Sequence, residues 1–295
     1  MATTAVAAAD PAVDTVRRRP GLVRRFRRYP LPALGVLLLA VLVTSATGAP
    51  WFAGQDPFEM NVVDRLQPPS GDYWFGTDAY GRDIFSRTLH GGRVSLVIGV
   101  AVAAASTLIG LLIGVVAGYF RTADAVLMRI MDGLMAIPGI LLAIALMSLT
   151  RASLWVVIVA ITIPEVPRVV RLVRAVVLSV REQVYIQAAT AIGTNFPRLM
   201  LKHILPNTLA PLIVQATYIA ASAVLVESYL SFLGVGTPPE VPSWGNIIAE
   251  GRLYVQIAFW NILFPSVFLA LMVLSINVLG DGLRDMLDPR LARRL

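Results

Sequence analysis

The chain has 295 residues, 57% of them hydrophobic and 15% charged, with a formal net charge of +7. Its mean hydropathy of +0.72 is too high for a soluble domain of this length and places it among membrane proteins. It contains no cysteine, which excludes disulfides and thiol catalysis. Its single lysine, Lys202, follows Leu201 rather than Gly, so no Gly-Lys-Ser/Thr phosphate loop forms.

In chain order, residues 1–30 read as an Ala-rich, then basic, cytosolic tail that is largely disordered, with Arg17–Arg28 against anionic headgroups. A cleavable leader is not expected, because the lead-in is long and the later spans need none. Residues 31–49 form the first predicted span, about 28 Å of helix against a hydrocarbon core of about 30 Å. Residues 50–93 are expected outside. There Pro68-Pro69-Ser70-Gly71 marks a turn, and Asp78 is placed to cap the segment that follows. Ile84, Phe85 and Leu89 share one face of an amphipathic helix over 82–90 lying on the outer membrane surface. Asp72, Asp78 and Asp83 do not follow an EF-hand spacing and no Glu closes the loop, so no metal site is expected.

Residues 94–280 form a five-helix core, with apolar runs at 94–119, 125–149, 207–233 and 256–280. A shorter run, 152–164, continues into Glu165 and is read as a helix that crosses and then emerges. Six spans are predicted. Gly110, Gly114 and Gly118 make a close-approach face, read as packing within the chain. Arg129 and Asp132, three apart, are read as a pair on one helical face; the functional alternative puts Asp132 on a translocation path or in a latch. Arg168, Arg171 and Arg174 are read as a solvated or lipid-facing stripe, with Glu165 able to pair with Arg168. Glu227 has no basic residue within one turn, so it either lines a water-filled path or bonds across helices. Residues 281–295 form a cytosolic tail.

Basic residues orient the spans. With both termini inside, segments 1–30, 121–129, 168–202 and 284–294 hold 19 of the 25 Arg and Lys, and the exterior segments hold 6. This bias accounts for the net charge, so nucleic-acid binding is not inferred from it. His90 and His203 fall on opposite sides, which leaves no zinc or iron cluster.

The inside segment 182–206 reads as two helices and a hinge. Ala188 and Ala189 let another surface approach closely, Gly193 permits a break, and a second amphipathic stretch through Leu199, Leu201 and Ile204 stops at Pro206. Ala188, Ala189, Gly193, Leu205 and Pro206 resemble, in type and spacing, the coupling loop of the membrane subunits of bacterial ATP-binding-cassette importers. Gln187 stands where that family usually has Glu, which leaves a hydrogen bond in place of a salt bridge.

Four further blocks resemble the second membrane subunit of dipeptide, oligopeptide and nickel importers: Gly76–Leu96, Glu227–Gly236, Pro242–Asn246 and Gly280–Arg290. The resemblance implies an all-α integral membrane protein with six transmembrane helices of the type I importer permease fold and cytosolic coupling helices. It also implies a homologous second permease subunit, two cytosolic ATPase subunits or domains and an extracytoplasmic substrate-binding protein. The chain itself would carry no cofactor and no catalysis, ATP and Mg residing on the ATPases, and would sit in the bacterial plasma membrane. The implied cargo is di- or oligopeptides, with nickel chelates or another small solute as the alternative. A gradient-driven transporter would need buried acidic or histidine carriers at mid-membrane, and an intramembrane hydrolase would need a Ser–His or paired-Asp constellation; neither is read in the sequence.

Overall fold

The computed structural model describes residues 30–287. The expected disorder of 1–30, the headgroup contact of Arg17–Arg28 and the tail beyond Leu287 lie outside the described residues. Helix α1, Pro30–Thr47, starts on two prolines, which the first turn of a helix tolerates because its N–H groups have no internal partner. Helix α2, Ile84–Tyr119, is capped by the Asp83 side chain, which accepts from Ser86 N at 2.8 Å. At 1.5 Å per residue its 36 residues run about 54 Å, well beyond a hydrocarbon core. Residues 84–90 are therefore the first turns of this continuous helix and not a separate surface helix. Ile84 and Leu89 are buried against neighbouring elements.

The predicted span 125–149 is bent in its middle, at Pro138. Helices α3, Arg121–Met135, and α4, Gly139–Ser148, meet at an 84° bend. Pro138 lacks an N–H and disfavours helical backbone in the residue before it, so the chain turns there. Helix α5, Leu154–Arg181, is capped by Ser153 and continues through Pro164 and Pro167. The apolar run 152–164 thus continues through Glu165 as a single rod, as expected. Helix α6, Val184–Ala191, follows, then a short turn, Phe196–Leu199, and a π-helical turn, Met200–Ile204. Helix α7 is Leu205–Phe232, α8 Trp244–Gly251 and α9 Trp260–Leu287.

By length and apolar composition, three helices among the described residues are able to cross a membrane: 84–119, 196–232 and 260–287. The bent α3–α4 pair makes a fourth. Helix α1 is shorter than these, and α5 carries too many charges to qualify on composition.

The most extensive helix contact joins α2 to α5. It rests on the expected glycines: a Cβ on Gly114 would lie 2.7 Å from Val173 Cβ, one on Gly118 2.6 Å from Val177 Cβ, and one on Gly110 would collide with Val169. The close-approach face is used within the chain. Gly114→Leu is expected to overpack this seam and lower the thermal midpoint of the detergent-purified chain by on the order of 5 °C. Leu108→Ala, at a residue 59% exposed, serves as the silent control. The main core gathers α2, α4, α5, α6 and α7, and a second cluster joins α1, α7, α9 and Trp244, whose indole donates to Thr88 O at 2.9 Å.

Candidate functional site

The elbow between α5 and α7 is built on one buried anchor and one open face. Ile186 is 2% exposed and packs in the cluster that holds Leu199, Met200 and Ile204. On the other side Val184 and Ile192 are more than four-fifths exposed, with Tyr185 and Ala188 open between them and Ala189 half-buried. Gly193 has φ +83°, and Thr194 N donates to Ala189 O while Gly193 N donates to Thr190 O. This is the Schellman closure, which needs a left-handed residue and so favours glycine. Gln187 lies on the open side and donates to Glu182 O at 3.3 Å.

Beside the Ile186 anchor, two side chains tie the ends of the elbow to the long helices. Arg181 donates to Gly118 O and Tyr119 O, at 3.3 and 2.8 Å, which satisfies the carbonyl end of α2. Asn207, in the first turn of α7, donates to the Tyr185 hydroxyl at 3.4 Å. A cavity of about 480 Å³ opens between Tyr119, Arg181, Ile186, Gln187 and Thr190. Leu205 and Pro206 sit at the root of α7, apart from the Gln187–Gly193 knuckle. Pro206 does not stop the helix. The preceding π turn, in which Leu205 N donates to Met200 O, is wide enough to take the proline into the first turn of α7.

Leading into α2, residues 76–87 form a charged clamp that sequence reading missed. Asp78 accepts from Tyr80 N and Arg82 N and pairs with Arg82 (2.6 Å) and Arg87. Both arginines also bind Glu250 on α8. Asp78, Arg82 and Arg87 are each 6% exposed or less. Asp78 therefore closes a neutral four-charge cluster and is not the cap of α2, which is Asp83. Burial pushes the Asp83 carboxyl above its ordinary range, against the Ser86 and Phe85 amides that pull it down. Gly81, with φ +75°, lies so close to Asn61 O that no side chain fits.

Glu227 is fully buried. One of its oxygens accepts from Ser231 and Ser243 at 2.8 Å and from Thr237 at 3.3 Å, and Asn246 donates to Thr237 Oγ1 at 2.9 Å. This bonding ties α7 to the loop before α8, while Oε2 is buried without a partner. Glu227→Ala strips an acceptor from three buried hydroxyls, at about 1–3 kcal/mol for each group left unpaired. The expected result is a clear fall in thermal midpoint, whereas Glu227→Gln keeps the accepting oxygen and most of the stability. Equal losses in both variants would contradict this reading.

Asp132 pairs with Arg171 of α5 at 2.6 Å and not with Arg129. Arg174 likewise binds Asp124 (2.7 Å), and Arg168 binds Glu165 (3.0 Å). The stripe read as a solvated or lipid-facing surface keeps its arginines partly exposed and pairs each with a carboxylate, the expected Glu165–Arg168 pair among them and two others joining α5 to α3. Both side chains of the Asp132 pair are about half exposed, which puts it at the bundle's edge.

The fold and these sites define an all-helical integral membrane protein. Residues 106–293 match the family described as binding-protein-dependent transport system inner membrane component, and residues 22–69 match the N-terminal TM domain of oligopeptide transport permease C. A probable peptide ABC transporter permease protein of Sinorhizobium fredii is 51% identical over 99% of both chains. The dipeptide transport system permease protein of Alkalihalophilus pseudofirmus is 41% identical over 91% of this chain and 88% of its own. The oligopeptide transport system permease protein of Bacillus subtilis is 39% identical over the same shares. Among solved structures, the inward-facing MetNI methionine ABC transporter superposes with a TM-score of 0.57 at 23% identity, covering 68% of this chain and 96% of that one. That likeness concerns the fold. This chain belongs to the family of binding-protein-dependent transport system inner membrane components.

Proposed function

We propose that this chain is one of two membrane subunits of an ATP-driven importer for short peptides, and that residues 182–206 receive the motion of a cytosolic ATPase. The observation that carries the proposal is the elbow: a short exposed helix of small and apolar residues, pinned to α2, α5 and α7 through Arg181, Ile186 and Asn207. A push on the Gln187–Gly193 knuckle moves three long helices together, because packed interiors transmit displacement and do not absorb it. Ala188 admits a partner surface closely, and Gln187 offers a hydrogen bond where a carboxylate would offer charge. The peptide substrate class is supported by the names of the Sinorhizobium, Alkalihalophilus and Bacillus relatives.

In this reading the chain crosses the membrane six times with both termini in the cytosol, and does no chemistry itself. ATP and Mg are held by two ATPase subunits, a binding protein delivers cargo outside, and a homologous permease supplies the other half of the path. The spans rock between outward- and inward-open states as the ATPases close and open. Proteoliposomes holding the complete transporter test it. ATP with the binding protein drives uptake of a labelled dipeptide, and an imposed proton gradient without ATP drives none. Uptake on the gradient alone would overturn the proposal.

A further inference from the structure

Unlike the Asp132–Arg171 and Asp124–Arg174 pairs, Glu165–Arg168 lies within α5 and joins it to no other element. Glu165 lies eleven residues into α5, about 16 Å along the helix, which on the proposed six-span reading is near the middle of a hydrocarbon core of about 30 Å. It is 7% exposed, and both carboxylate oxygens accept from Arg168 Nη1, at 3.0 and 3.2 Å. The Arg168 side chain, by contrast, is 57% exposed.

Two cavities meet at this pair. One, of about 270 Å³, is lined by Gln215, Tyr218 and Ser222 of α7 and by Asn277 of α9. The other, of about 320 Å³, lies under the α3–α4 bend, beside Pro138 and Gly139. Glu165, Arg168 and Ser222 line both. The Asn277 carbonyl oxygen is buried without a hydrogen-bond partner, an acceptor left open at the cavity. Ionised groups at this depth cost about 2.5–3.5 kcal/mol each on insertion scales, and are kept where they meet water, each other or cargo.

We infer that Glu165 and Arg168 form a subsite of the translocation path for a small zwitterion with a free ammonium, such as the end of a short peptide. The inference rests on the peptide-importer reading. With the path empty, the two side chains satisfy each other. When cargo arrives, Glu165 exchanges the guanidinium for the ammonium, and Arg168, free to swing on its exposed side, takes the carboxylate. Gln215, Ser222 and Asn277 offer neutral hydrogen bonds to the peptide unit between. The site is neutral both empty and loaded, so no buried charge is orphaned at either stage. One-for-one exchange also keeps binding weak, as passage requires.

The test is equilibrium binding of labelled Ala-Ala to the complete permease–ATPase complex in nanodiscs, without the binding protein, so that only the path is read. In the wild type, N-acetyl-Ala-Ala, which lacks the ammonium, is expected to compete at least tenfold less well than unlabelled Ala-Ala. In Glu165→Gln, Ala-Ala binds about tenfold more weakly and the two peptides compete equally, while Glu165→Asp keeps the preference. Basal ATPase activity reports assembly of each variant. Should Glu165→Gln fail to assemble, Glu165→Gln/Arg168→Gln removes both charges together and is held to the same outcome. Absence of Ala-Ala binding or of the preference in the wild type, or its survival in Glu165→Gln, would overturn the subsite. ATP-driven dipeptide uptake by the same wild-type complex separates the two claims. Wild-type uptake together with an ammonium preference that survives in Glu165→Gln sinks the subsite alone, and no uptake of any peptide sinks the peptide reading with it.

Discussion

Asp78→Ala is expected to lower the thermal midpoint of the detergent-purified chain by on the order of 10 °C. The physical reason is the company it leaves behind. Arg82 and Arg87 are each 6% exposed or less and share Asp78 and Glu250 as their carboxylate partners. Removing one carboxylate from a buried neutral cluster strands positive charge, which costs about 3–5 kcal/mol, more than the pairing itself contributes. The loss also frees the amides of Tyr80 and Arg82. Adding Arg87→Gln to Asp78→Asn is expected to be less damaging than the sum of the single changes, since the pair then leaves together. A shift below about 2 °C for Asp78→Ala, or strict additivity in the double variant, would show that the cluster is not what holds 76–87 to α8.

Ala188→Arg is expected to cut ATP-driven uptake at least about thirtyfold and to abolish ATPase association, with the thermal midpoint of the isolated chain unchanged. Ala188 is exposed on α6, so the arginine has room in the chain alone. Against a partner surface, a bulky charge at a close-contact point costs about 2 kcal/mol or more, the scale of an interface hot spot. Stability and coupling therefore separate at this position, and they do not at Gly193. There φ +83° makes any side chain strain the elbow itself. Uptake within twofold of the wild type in Ala188→Arg would mean that the knuckle is not the docking face.

What could be read from the residues alone was local. The elbow was legible because Ala188, Ala189 and Gly193 act through short-range geometry, and Gly193 takes the left-handed angle a hinge needs. The Gly110–Gly118 face was legible because helical periodicity puts those positions on one side, and they meet Val169, Val173 and Val177 of the same chain. Of the charges, only the Glu165–Arg168 pair, three residues apart on one helix, was legible. Asp132 has Arg129 three residues away yet pairs with Arg171, and the arginines beside Asp78 reach Glu250 across the clamp. Such partners are set by how α3, α5 and α8 pack, which no local rule encodes. Proline misled once: Pro138 bends its span, as a proline inside a span can, but Pro206, expected to end a helix, is absorbed by the π turn before it. The burial of Glu165 was hidden because it depends on the packing of α5 against α7 and on the α3–α4 bend, although its counter-ion one turn on was legible.

Because the chain has no cysteine, a thiol introduced by Ala188→Cys is unique in it. The decisive measurement is the rate at which that thiol reacts with a membrane-impermeant maleimide in inside-out vesicles, with and without the ATPases. The account predicts rapid labelling of the chain alone and at least tenfold protection once the ATPases are bound. Equal labelling in both states, in vesicles that still import on ATP, would contradict it.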